Sequence, residues 1–197
     1  MAKYESSKPT MPEYKPEKVS HLRTAITNLL LMLAYHFVSW LLAVFVFGMW
    51  PNLLYSLATL VVMGVILIGT YIKNGERKRA YLAATSAEIR GAENVAEGAA
   101  RYRKLALTEG IACTLSSGVL WLIPALFYTV SMALSGQGYG YEDALPLEKF
   151  FVAFVGLCEP FRNAWIGLLL GLGILFCFHY FGRLYAHKKW EENRIRH

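Results

Sequence analysis

Long segments without a charged side chain dominate the hydrophobic pattern of this chain. They are residues 24–72, 110–141 and 163–182, which contain 49, 32 and 20 residues. A helix that crosses the hydrocarbon layer of a bilayer needs about 20 mainly apolar residues. A helix on the surface of a soluble protein keeps charged residues on its outer face, so this pattern predicts membrane-spanning helices.

The first charge-free segment is too long to be one span. A helix of 49 residues would be about 73 Å long, more than twice the thickness of the hydrocarbon layer. Pro51 marks a break, because proline donates no backbone hydrogen bond and disfavours a helical conformation at Trp50. We therefore predict helix 1 over 22–47 and helix 2 over 52–72.

The other two charge-free segments each predict one span. Helix 3 is expected over 110–134, with a kink at Pro124. Helix 4 is expected over 160–186, with Pro160 in its first turn, where proline is favourable. The predicted fold class is all-α: an integral membrane four-helix bundle.

The connections between the spans differ in composition. Residues 73–109 are rich in Ala, Glu, Arg and Lys, and they predict a cytoplasmic helical region between helices 2 and 3. This region is either a helical hairpin that bends near Gly91 or one amphipathic helix on the membrane surface. Residues 135–149 form a glycine-rich outer loop. The apolar run 150–158 is too short to span the membrane, so an interfacial or re-entrant segment is expected.

The distribution of basic residues predicts the orientation. Four spans place residues 73–109 and the two polar tails, 1–21 and 187–197, on one side of the membrane. With the adjoining helix ends, that side carries 18 of the 20 Lys and Arg residues, and the other side carries Lys149 and Arg162. The positive-inside rule makes the basic side cytoplasmic. This predicts a plasma (inner) membrane protein with both termini in the cytoplasm.

The excess of Lys and Arg on the cytoplasmic side also accounts for the formal net charge of +6. Basic residues at the cytoplasmic surface can hold anionic lipid headgroups, so the charge implies no nucleic acid partner. The expected partners are the lipid bilayer, further copies of the chain in a homo-oligomer, or other membrane subunits.

Glu159 and Arg162 lie three residues apart at the expected outer end of helix 4. Residues at this spacing share a helix face, and Arg162 precedes Arg183 by 20 uncharged residues, which places it at the membrane boundary. One interpretation is an interfacial ion pair. The other is a water-filled vestibule between helices, in which the pair helps to select a solute or ion.

His36 lies 13 residues after Arg23 and is therefore expected near the middle of the membrane. One interpretation is a single interhelical hydrogen bond, which contributes about 0.6 kcal/mol on average. The other is a proton relay or a ligand-binding group, since ionisable side chains within a span are often functional. His179 lies one turn before Arg183 and is expected to be interfacial.

Gly167 and Gly171 form a G-x-x-x-G motif in helix 4, and Gly173 follows it. Small residues let the backbones of two membrane helices approach closely. The sequence Ser116-Ser-Gly118 offers a second small surface, so packing of helix 3 on helix 4 is expected. The motif does not say whether the partner helix belongs to the same chain.

The chain contains no G-x-S-x-G, H-E-x-x-H or P-loop sequence. Its three cysteines are widely separated, which gives no disulfide framework and no zinc signature. We therefore expect no catalytic residue, no metal site and no cofactor. The expected function is a non-enzymatic subunit that anchors or scaffolds a membrane complex through residues 73–109. The alternatives are a membrane enzyme that acts on lipid and a small homo-oligomeric channel or transporter that uses His36, Glu159 and Arg162.

The predicted orientation can be tested with reporters fused after His197. A fluorescent protein at this position should fluoresce, because it would remain in the cytoplasm, and alkaline phosphatase should be inactive there. The reverse result would place the carboxyl terminus outside the cell and would contradict the predicted orientation.

Overall fold

The computed structural model describes residues 21–47, 53–73, 95–135 and 146–195. These residues are almost entirely helical and contain no β-strand. The helices are α1 (His21–Leu41), which continues as a π-helix (Leu42–Phe47), α2 (Leu53–Lys73), α3 (Val95–Ser135), α4 (Pro146–Phe150), α5 (Val152–Cys158) and α6 (Ala164–Ile195), with a 3₁₀ turn (Glu159–Phe161) before α6.

Four of these helices are long and apolar enough to span a membrane, as the sequence predicts. The candidate spans are Leu22–Phe45, Leu53–Lys73, Arg103–Leu134 and Ala164–Trp190. Predicted helix 1 corresponds to α1 with its π-helical extension, and predicted helix 2 corresponds to α2.

Helix α3 begins earlier than the sequence predicts. The expected start is residue 110, whereas the helix runs without interruption from Val95. Charged residues do not end a helix, because Glu, Arg and Lys have helix propensities close to that of Leu. The loss of charge at residue 110 therefore marks the edge of the apolar span. The predicted bend near Gly91 lies outside the residues that the structure describes.

Helix α6 begins later than the sequence predicts. The 3₁₀ turn ends at Phe161 and is followed by Arg162, whose φ of 47° is in the left-handed region. The side-chain oxygen of Asn163 then accepts hydrogen bonds from two backbone N–H groups of the first turn, at 2.9 and 3.2 Å. Asparagine is a preferred N-cap residue, so the helix starts at Ala164 and not at residue 160.

The pattern of exposure is the reverse of that in a soluble protein. Large apolar side chains are exposed on all four long helices, for example Leu30, Val62, Leu115 and Leu169, which are 60–71% exposed. The buried polar side chains are those of Asn28, His36, Ser39, Ser56, Glu109, Ser117, Ser131, Glu148, His179 and Arg183. A protein in water rarely exposes so much apolar surface. In lipid, by contrast, polar groups must find hydrogen-bond partners inside the protein. Both features of the exposure pattern therefore fit a membrane protein.

Contacts between the long helices define their relative directions. α1 packs on α3, α3 on α6, and α6 on α2. Tyr35 is hydrogen-bonded to Thr59, and the Tyr55 hydroxyl donates to the Ser39 carbonyl oxygen, so α1 and α2 are antiparallel. α3 runs antiparallel to α6.

Helix α5 fills the space between the long helices. All seven of its residues are buried, as is the preceding Phe151. The helix contacts α1, α2, α3 and α6, and its Phe154 ring lies 5.6 Å from the Trp121 ring. The Cys158 thiol donates to the Phe154 carbonyl oxygen at 3.3 Å. Protein atoms therefore occupy the interior at this level.

The three glycines singled out in the sequence have different surroundings. A Cβ atom at Gly167 would lie 2.9 Å from the Cα of Cys158, and one at Gly171 would lie 2.5 Å from the Trp121 ring. A Cβ atom at Gly173 would meet nothing within 4 Å. The close approaches thus bring α5 and α3 of the same chain against α6.

Gly167→Ala should destabilise the protein, because its methyl group would overlap the backbone of Cys158 and displace α5. Overpacking of this kind costs about 1–3 kcal/mol. Gly173→Ala is the matched control, and its melting temperature in detergent should be unchanged or higher, since Ala favours a helix over Gly by about 1 kcal/mol. Equal melting temperatures for the two variants would contradict the packing described for α5.

Candidate functional site

A row of polar side chains runs along the buried face of α3, and we call it the α3 polar stripe. Its members are Glu109, Cys113, Ser117, Trp121, Tyr128 and Ser131, all at most 5% exposed. Residues three or four apart share a helix face, which explains the alignment. From residue 109 to residue 131 the helix rises about 33 Å, close to the ~30 Å of the hydrocarbon layer.

At one end of the stripe, Arg183 of α6 forms a buried ion pair with Glu109. The Arg183 Nε donates to Glu109 Oε2 at 3.0 Å. Its Nη2 donates to the sulfur of Cys113 at 3.2 Å, and its Nη1 donates to the His179 carbonyl oxygen at 3.0 Å. Each guanidinium nitrogen therefore has a partner, as a charge away from water requires.

Tyr71 and His179 extend this cluster to α2. The guanidinium carbon of Arg183 lies 4.3 Å from the centroid of the Tyr71 ring, which is cation–π geometry. The Tyr71 hydroxyl lies 2.5 Å from His179 Nδ1. His179 is expected at the interface from its sequence position, and its side chain is fully buried among α2, α3 and α6.

The sequence contains a pattern that predicts this cluster, and it lies in the charged residues at the ends of the charge-free segments. Glu109 and Arg183 each flank a charge-free segment. Antiparallel neighbouring spans bring such ends together, and opposite charges at matching ends favour an ion pair.

Asn28 of α1 joins the stripe further along the helices. Its Nδ2 lies 2.9 Å from the Cys113 carbonyl oxygen, and 2.9 and 3.0 Å from the hydroxyl oxygens of Ser116 and Ser117. The small surface predicted on helix 3 thus receives a polar side chain from α1, and hydrogen bonds between helices supply directional contacts within lipid.

His36 of α1 meets the stripe near its midpoint. The indole N–H of Trp121 donates to His36 Nε2 at 2.6 Å. Because an indole nitrogen only donates, Nε2 carries a lone pair, and the neutral ring has its proton on Nδ1. His36 is fully buried, and its Nδ1 has no hydrogen-bond partner among the residues described. The Phe151 ring lies 4.6 Å away, so the imidazole is enclosed on the side of α5.

At the other end of the stripe, the Ser131 hydroxyl donates to Glu148 Oε2 at 3.1 Å. Glu148 lies on α4 and is fully buried. Titratable side chains therefore lie at both ends of the stripe, and His36 lies between them.

The three candidate residues from the sequence do not form one site. Glu159 and Arg162 are exposed, and the backbone N–H of Arg162 donates to the Glu159 carbonyl oxygen at 3.2 Å. His36, by contrast, is fully buried beside Trp121. The buried Glu148 is the acidic residue that the sequence reading misses at this end.

The chain matches no known protein family, no curated protein and no solved structure. Within the described ranges, no group of three or more His, Cys, Asp and Glu side chains is arranged to hold a metal ion. Four candidate membrane spans among the described residues, which are almost entirely helical, define the class of the protein as an integral membrane protein.

Substituting one partner of the buried ion pair should lower the free energy of unfolding more than substituting both partners. Arg183→Met leaves the Glu109 carboxylate without its cation, and such a loss costs about 3–5 kcal/mol. Adding Glu109→Leu should restore much of the free energy of unfolding, because two apolar side chains then fill the site.

The free energies of unfolding in detergent check this double-mutant cycle. Arg103→Met removes an exposed charge and serves as the control, with an expected change within about 0.5 kcal/mol. Additive losses from the two single substitutions would show that Glu109 and Arg183 are not coupled.

Proposed function

We propose that this chain is a non-enzymatic subunit that anchors or scaffolds a membrane complex. Its four spans form a bundle in the plasma (inner) membrane, with both termini and residues 73–109 in the cytoplasm. The length of α3 supports this proposal. Its 41 residues extend over about 62 Å, which is twice the thickness of the hydrocarbon layer.

The extra length of α3 projects from the end that carries the basic residues. Residues 95–108 of the helix lie beyond the buried Glu109–Arg183 pair. Arg103 and Lys104 are exposed on this part. A continuous helix that emerges from a packed membrane domain is a rigid, charged platform for another protein.

The interior of the chain favours a subunit over a homo-oligomeric channel. A pore between copies needs polar side chains on the outer surface of each copy, where they would line the central axis. Asn28, Glu109 and Arg183 of the described spans are buried, and His36 is enclosed by Trp121 and Phe151. His36 is therefore badly placed to line an axis between chains.

The proposal is tested by the mass of the protein purified from its native membranes in mild detergent. We expect a stable complex that contains a second polypeptide besides the 22.2 kDa chain. Combining Arg103→Gln with Lys104→Gln should release the partner, because both charges lie on the projecting part of α3. Combining Lys188→Gln with Lys189→Gln removes two exposed charges of α6 and should leave the complex intact.

A monomer without a second polypeptide would contradict the scaffolding role. A ring of identical chains would support the channel instead. Release of the partner by both double substitutions would show that net charge, and not the α3 platform, holds the complex.

A further inference from the structure

We propose that the α3 polar stripe conducts protons across the membrane, with His36 as the relay at its centre. This activity goes beyond the scaffolding role and does not depend on it. It joins three observations. The stripe is as long as the hydrocarbon layer is thick, titratable side chains lie at both of its ends, and His36 has a buried N–H without a partner in the described structure.

The enclosure of the stripe selects the species that can pass. Its side chains are at most 5% exposed, and α5 packs between the long helices, so a hydrated metal ion or an organic solute has no room. A proton needs no such room, because it moves along hydrogen-bonding groups and single water molecules. A path of this kind conducts protons and excludes K⁺ and Na⁺.

The two ring nitrogens of His36 define the relay step. In the structure Nδ1 holds the proton, and Nε2 accepts the hydrogen bond from Trp121. When the Trp121 bond opens, Nε2 takes up a proton and the ring becomes an imidazolium. Nδ1 then releases its proton to a water molecule on the other side, which leaves the Nε2–H tautomer. Rotation of the ring exchanges the sides that the two nitrogens face, so the next proton enters at Nδ1 and leaves from Nε2. A second rotation then restores the starting arrangement. One proton enters and one leaves, and Trp121 is a positioning residue that closes Nε2 between transfers.

The remaining stripe residues bring protons to His36 and take them away. The rise between successive members is about 4.5–6 Å, except for about 10.5 Å between Trp121 and Tyr128. One bridging water molecule closes a gap of about 4.5–6 Å between polar groups, and a short chain of water molecules connects Trp121 with Tyr128. Glu148 exchanges protons with one face of the membrane, and the cluster around Glu109 exchanges them with the other.

The test uses the full chain reconstituted into vesicles of phosphatidylcholine and phosphatidylglycerol that contain a pH-sensitive dye. Outward K⁺ diffusion through valinomycin drives protons inward. The unsubstituted protein should acidify the lumen at least tenfold faster than protein-free vesicles. His36→Gln should reduce the rate to that of protein-free vesicles, because the amide can accept the Trp121 hydrogen bond but takes up no proton.

Gly173→Ala is the matched control, since its side chain meets no other element, and it should conduct at the unsubstituted rate. The melting temperature of His36→Gln separates loss of the relay from loss of the fold. If that variant does not fold, Glu148→Gln still accepts the Ser131 hydrogen bond, and it should lower the flux at least tenfold.

Three results would overturn the proposal. The first is an unsubstituted flux no faster than that of protein-free vesicles. The second is full conduction by a folded His36→Gln variant. The third is K⁺ flux without valinomycin that equals the proton flux, which would indicate an open aqueous pore. None of them affects the mass of the detergent-solubilised complex, so the scaffolding role fails or stands separately.

Discussion

The dependence of buried polar groups on partners between the long helices is the constraint on which this structure rests. A buried polar group without a partner costs about 1–3 kcal/mol, and water is not at hand in lipid to supply one. The guanidinium of Arg183 therefore bonds to Glu109, to Cys113 and to a carbonyl oxygen of its own helix. Since apolar side chains are as well solvated by lipid as by protein, such polar contacts and the close packing at glycines determine which helices meet.

The spans could be predicted from the sequence because few other structures remove charge from all sides of a helix over such lengths. The helix ends that lie outside the charge-free segments could not be predicted in the same way. Helix α3 starts at Val95 although its charge-free part starts at residue 110, since helical hydrogen bonding continues across the lipid boundary. The start of α6 depends on the local cap at Asn163. In the sequence, Pro160 favours an earlier start, so this cap is not predicted.

The buried site was less accessible to sequence reasoning. His36 can be recognised as a candidate because the sequence places it near the middle of the membrane. Its partner Trp121 is 85 residues away in the chain, and a single sequence does not show which distant residues form such a pair. The exposed pair of Glu159 and Arg162 attracts attention because the two charges are neighbours, whereas the buried Glu148 stands in a segment read as a loop. The four-residue spacing of Glu109, Cys113, Ser117 and Trp121 on α3 can be recognised once the buried face of the helix is known.

Because of the position of α5, the order in which the helices are synthesised differs from the order in which they can pack together. Phe151 covers His36, and α5 packs against α2, yet this segment is made more than a hundred residues after His36. The first two spans can enter the bilayer early, but the surfaces that they turn toward α5 stay uncovered until the nascent chain has passed Cys158. Chain completion, and not membrane insertion of the amino-terminal half, is then the event that commits this protein to a single tertiary arrangement.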